Sequence, residues 1–89
     1  MVFEWDPGKA KSNAAKHAID FADCGAVFYD DHAITIDDEH PNEDRFVTIG
    51  SDSLGRVVAV AYCWRGDRIR IISARRATRH ERAQYEEYR

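Results

Sequence analysis

Arg68-Ile69-Arg70-Ile71-Ile72-Ser73-Ala74-Arg75-Arg76-Ala77-Thr78 decides the fold, because an apolar strand, a cluster of cations and a helix start follow one another without a break. Strand alternation sets Arg68 and Arg70 on one face and Ile69 and Ile71 on the other, so a cationic surface is built into a core strand. Between Arg65 and Arg82 the chain carries seven arginines against two acids, Asp67 and Glu81, whereas the formal charge of the whole chain is −3. The compensating charge is also contiguous: residues 17–44 hold nine acids and neither lysine nor arginine. This separation points to a polyanionic partner on one side of the molecule. The basic block contains only arginine, which favours planar, bidentate grip on phosphate or carboxylate over diffuse attraction.

Working outward from that strand, Arg65-Gly66-Asp67 reads as a tight hairpin turn, and the apolar run Arg56 to Trp64 before it reads as a central strand covered on both faces. Arg45 to Ile49 and Ala33 to Ile36 supply two further strands, separated by a polar loop with Pro41. On the C-terminal side, Thr78-Arg79-His80-Glu81 is a capping box that opens a helix through Tyr88, with Tyr85 and Tyr88 as its packing edge. At the N-terminus, Val2 to Trp5 alternates like a short strand or extended lead-in, and Asp6-Pro7 caps and opens a helix ending at Ala18-Ile19. Its buried stripe is Ala10, Ala14 and His17, with Lys9, Lys11, Asn13 and Lys16 towards solvent. Asp20 caps a second helix carrying Phe21, Cys24 and Phe28, in which Gly25 is a weak point unless close packing requires it. The expected architecture is α+β: two N-terminal helices, a four-stranded antiparallel sheet with the helices on one side, and a C-terminal helix.

Eighty-nine residues make a single domain, 1–89, that buries roughly two-thirds of its unfolded surface. The apolar run beginning at Val57 is far shorter than the ~20 residues of a membrane span, and the N-terminus lacks the charge and apolar pattern of a signal peptide. A cytoplasmic protein is expected, with Cys24 and Cys63 as reduced, buried residues. His32, Asp37, Asp38, Glu39 and His40 include metal-ligating residue types, but their spacing matches no ligand template and reads as a solvated acidic loop. No metal or other cofactor is expected.

Phe3-Glu4-Trp5-Asp6-Pro7, Lys9-Ala10, Asn13, Lys16-His17, Phe21, Val27-Phe28, Glu43-Asp44-Arg45-Phe46, Ile49-Gly50 and Arg70-Ile71-Ile72-Ser73-Ala74-Arg75-Arg76-Ala77 together resemble the BrnT-type toxins of bacterial type II toxin-antitoxin systems. The resemblance runs nearly end to end, departing at Ala18, where the family usually has glycine. It implies a RelE-like ribonuclease fold, metal-free RNA cleavage that inhibits translation, and neutralisation by a BrnA-type antitoxin with a DNA-binding domain. It also implies a heterotetramer that meets DNA only through the antitoxin.

Such cleavage needs a group that takes the ribose 2′-hydroxyl proton, cations that stabilise a phosphorane, and an acid for the leaving oxygen. Arg70, Arg75 and Arg76 are the candidates for the phosphate, and His17 and Glu43 for proton transfer, with His80 and Glu81 behind them. Lys16, Arg45, Arg68 and Arg79 are candidate RNA contacts, and Tyr85 or Trp64 a stacking surface for a base. Each has a plainer reading. His17 lies in an apolar stripe, Glu43 and Arg45 can pair with each other, Glu81 completes a capping box, and Tyr85 suits a core edge. The rival function is a non-catalytic binding module whose arginine face docks an acidic partner or nucleic acid and acts as co-repressor.

Overall fold

In the computed structural model, which describes residues 1–87, β1 (Val2–Glu4) leads into α1 (Pro7–His17), two short 3-10 segments (Phe21–Asp23 and Gly25–Tyr29), β2 (Ile34–Asp38), β3 (Arg45–Ser51), β4 (Val57–Arg65), β5 (Arg68–Arg76) and α2 (Arg79–Glu87). Tyr88 lies outside the described residues. The strands form one five-stranded sheet in the order β1-β5-β4-β3-β2. It is mixed: β1 runs parallel to β5, with Phe3 opposite Ile69 and Glu4 opposite Arg70, and the other pairs are antiparallel. The α+β class stands, but a four-stranded antiparallel sheet does not. The alternation of Val2–Glu4 marks a real strand because it delivers Phe3 to the core and Glu4 to Arg70 in a single step.

The second N-terminal helix is also replaced, by the two 3-10 segments. Asp20 makes no side-chain cap there, and the tighter winding carries Phe21, Cys24 and Val27 into the core. Gly25 is explained by packing, since a Cβ at that position would lie 3.0 Å from the Phe3 ring. The helices do not gather on one side. Val58, Val60 and Tyr62 of β4 join Ile69, Ile71 and Ala74 under α1 and the 3-10 segments, with Phe28 edge-on to Tyr62 at 4.8 Å. Val57 and Ala59 point the other way and pack with Ile49 against Tyr85 of α2. The unbroken apolar run in β4 therefore reflects cover on both faces.

α1 begins as its sequence suggests: the Asp6 carboxylate accepts from the Lys9 amide at 2.9 Å and Pro7 follows the cap. Asn13, expected in solvent, is instead buried. Its Nδ2 donates to the carbonyls of Ala74 (2.8 Å) and Ile19 (3.1 Å), and its Oδ1 accepts from the Ala74 amide at 3.0 Å. A side-chain amide thus takes the place of a neighbouring strand along β5 beyond the end of β1.

α1 ends at Ala18, the described non-glycine residue with positive φ (56°). Its amide closes the helix on Ala14 at 2.9 Å and its carbonyl accepts from Arg56 at 3.2 Å, so the left-handed conformation is held despite its Cβ. Ala18→Gly should therefore raise the stability to urea by about 1 kcal/mol. An unchanged or lowered unfolding midpoint would show that the left-handed cap costs this chain nothing.

Candidate functional site

A β-bulge in β5 shapes the cationic surface. Tyr62 and Ala61 are adjacent on β4, but their partners on β5 are Ile71 and Ser73, so Ile72 is the extra residue. Without it, strict alternation would put Arg75 on the same side as Ile69 and Ile71. With it, Arg75 (opposite Ala59) shares a face with Arg70 (opposite Cys63) and Arg68 (opposite Arg65). Arg76, opposite Val58, falls on the other face and is exposed. Of the three arginines expected to hold the phosphate, Arg70 and Arg75 therefore share a face, with Arg68 beside them, and Arg76 lies on the reverse.

Each of these arginines meets a carboxylate. Arg70 donates to Glu4 at 2.9 Å, and Arg68 approaches the same residue at 3.9 Å. Arg75 forms a two-point fork with Glu81 at 2.7 and 3.0 Å. Glu81 also completes the capping box, accepting from the Thr78 amide at 2.8 Å while its own amide donates to the Thr78 hydroxyl at 3.1 Å. The hydrogen bonds from Arg75 lead the effects that lower its pKa to about 2, and the same contact raises that of Arg75. Glu81 is accordingly an ionised strut between α2 and β5.

Tyr85 is buried, and its hydroxyl donates to Asp30 at 2.6 Å, which leaves its ring no open face for a base. Asp30 also accepts from the amides of Ser51 and His32; burial pushes its carboxyl pKa up, but these donors win and hold it low. Trp64 and Tyr29 are exposed aromatics. Arg79 is exposed on the first turn of α2.

Lys16 and His17 lie elsewhere, in an open groove of about 490 Å³ between α1 and β5 that is also lined by Lys9, Ser12, Asn13, Ile72 and Ser73. The bulge residues form its β5 wall. The groove and the arginine face therefore meet at the outer edge of β5, past the end of β1.

Glu43 is not brought to this edge. It pairs with Arg45 at 2.6 Å, and this hydrogen bond lowers its pKa. Arg45 does share the arginine face: it precedes the Phe46–Tyr62 pair and so lies towards Cys63, two strands from Arg70, or roughly 10 Å away. Among the described residues no three His, Cys, Asp or Glu side chains form a metal-ligating group, and no helix is long and apolar enough to cross a membrane. Cys24 and Cys63 are free and buried, and burial pushes the Cys24 thiol up to about 12. Neither Glu4 nor Asn13 was expected at the site, because the pairing of β1 with β5 and the bonds of Asn13 to Ala74 join distant parts of the chain.

Fold and surface define a small α+β protein with a self-paired arginine face beside a basic groove. Residues 5–81 match the model of a family described as the ribonuclease toxin, BrnT, of type II toxin-antitoxin systems, and the chain belongs to that family. The crystal structure of the Brucella abortus ribonuclease toxin, BrnT, is similar at a TM-score of 0.68 and 27% identity, over 89% of this chain and 100% of that one. No curated protein matches the chain. As a type II toxin it has an antitoxin partner.

Because Glu81 is held below its ordinary value of 4.5, its stabilisation of α2 is full above that pH and is lost as pH falls towards about 2. Glu81→Gln retains a capping side chain but removes the charge. Urea unfolding between pH 6 and pH 2 should show a weaker loss of stability in the variant than in the wild type; identical profiles would mean that the fork with Arg75 does not stabilise the fold.

Proposed function

We propose that this toxin is a metal-independent endoribonuclease that cuts RNA at the outer edge of β5, acts in the cytoplasm and thereby stops translation. The ribose 2′-oxygen attacks the adjacent phosphorus, the 2′-O–P bond forms as the P–O5′ bond breaks, and the products are a 2′,3′-cyclic phosphate and a free 5′-hydroxyl. Arg70 and Arg75 stabilise the charge on the phosphorane. His17 accepts the 2′-proton or supplies the proton to the leaving oxygen, with Lys16 holding a neighbouring phosphate. Arg68, Arg79 and Arg45 extend the track for the strand, Arg76 meets flanking phosphate from the other face, and Trp64 offers a ring for stacking. Glu43, tied to Arg45 two strands away, has no part in proton transfer, and Tyr85 serves the core.

The observation that carries this reading is the bulge at Ile72, which sets Arg75 on the face of Arg70 and turns Ile72 and Ser73 towards the groove of Lys16 and His17. The family extends the reading to a BrnA-type antitoxin with a DNA-binding domain, in a heterotetramer that meets operator DNA through the antitoxin alone.

A specific observation favours a second reading. Arg70 and Arg75 are both engaged by acids of the chain itself, as in a docking surface that exchanges these carboxylates for those of a partner. Incubation in EDTA with an RNA oligonucleotide and its 2′-deoxy counterpart separates the two. Nuclease action predicts cleavage of the RNA alone; a docking module cleaves neither, and loss of activity on chelation contradicts the metal-free route. Arg75→Ala should lower the cleavage rate by about a hundredfold or more with the domain still folded. An unaltered rate would move the phosphate site off β5.

A further inference from the structure

At the opposite margin of the sheet, β2 is a bare edge. It pairs with β3 on one side only, and its central residues Thr35, Ile36 and Asp37 are exposed, Ile36 by 50%. Natural proteins usually blunt such an edge with lysine, proline or a covering element, since its outward amides and carbonyls template another strand. Here the edge carries neither lysine nor proline, and an apolar side chain stands at its middle.

The charge around this edge selects what can add to it. Asp37, Asp38 and Glu39 continue from the strand into an open hollow of about 480 Å³, lined also by His40, Glu43, Asp44, Arg45 and Phe46. Six of its eight lining residues belong to the acidic block, residues 17–44, and its one arginine, Arg45, is already paired with Glu43 at 2.6 Å. RNA is repelled by such a surface, and so is a second copy of the same edge. A cationic extended polypeptide is attracted.

We propose that β2 is the anchoring edge for the antitoxin, which adds a Lys/Arg-bearing extended segment as a sixth strand and sends a long cationic side chain into the acidic hollow. The inference rests on toxin-antitoxin membership and not on the cleavage chemistry. The strand register specifies the segment. Ile34 and Ile36 lie opposite Ile49 and Val47 on the α2 face, whereas Thr35 and Asp37 lie opposite Thr48 and Phe46 on the α1 face. The added strand should therefore alternate, with an apolar residue beside Ile36 and a cation beside Asp37 on the reverse face. Main-chain hydrogen bonds supply affinity, and this alternation supplies specificity. The anchor also leaves the Arg70–Arg75 face free for a different part of the antitoxin to cover.

Hydrogen–deuterium exchange of the toxin, alone and in the complex co-expressed with its antitoxin, tests the edge directly. The account expects slowed exchange within residues 34–38 in the complex. Asp37→Lys with Glu39→Lys, both at exposed positions, should weaken antitoxin binding by tenfold or more at low salt, with a smaller loss at high salt, while the free variant keeps wild-type RNA cleavage. Unchanged exchange at 34–38 in the complex would overturn the proposal, whether or not the variant folds. Protection of the same amides by an RNA oligonucleotide, or by toxin self-association without antitoxin, would overturn it as well. Failure of the wild-type toxin to cleave RNA would sink the nuclease reading and leave the exchange result at β2 intact.

Discussion

The bond network of Asn13 on the edge of β5 is the constraint from which the rest follows. β1 covers β5 only along residues 68–70, and past that point the strand has no neighbour on its outer side within the sheet. One amide side chain gives and takes a hydrogen bond at Ala74 and adds a third to Ile19, which fixes the end of α1 against the strand. Buried backbone groups left unpaired there would cost about 1–3 kcal/mol each. The clip closes the edge at Ala74 and leaves Ile72 and Ser73 free to line a groove with Lys16 and His17.

The arginines on the adjoining face are held by carboxylates from three separate parts of the chain: Glu4 on β1, Glu81 on α2 and Glu43 before β3. Pairs at such partly exposed positions contribute little to stability. Their larger effect is orientation. A guanidinium held by one edge of its fork has lost most of its rotamer freedom while retaining donors for an incoming phosphate. The same pairing lets a negative net charge coexist with an arginine-rich face, while Asp37, Asp38, Glu39 and Asp44 gather at the far margin, around β2.

Local features were legible in the sequence because local chemistry determines them. Asp6-Pro7 opens α1, Gly66 takes φ 63° in the β4–β5 hairpin, and Thr78 with Glu81 forms the capping box, each through residues at most four apart. Features set by contacts across the fold were not. The alternation of Val2 to Trp5 suggests a short strand or lead-in, but its place in the sheet, parallel to β5, is set by Ile69 and Arg70 more than sixty positions later. Asn13 looks like a solvated helix residue until Ala74 lies beside it. The bulge is hidden for a related reason: Ile71-Ile72-Ser73-Ala74 has no strict alternation to break, so the phase of Arg75 is decided by which residue β4 leaves unpaired. The sequence therefore gathers the arginines on one segment without dividing them between its faces, which the register does, with Arg75 on the side of Arg70 and Arg76 on the reverse.

Convergence of Arg70 and Arg75 on one phosphate at the open edge of β5 is the central claim. A crystal structure of the toxin with a 2′-O-methyl RNA oligonucleotide, which lacks the attacking hydroxyl, tests it most directly. The account predicts a phosphate bridging Arg70 and Arg75 beside the Ile72 bulge, with the strand continuing towards Lys16 and His17. Phosphate bound on the Arg76 face, with Arg70 and Arg75 still closed on Glu4 and Glu81, would contradict it.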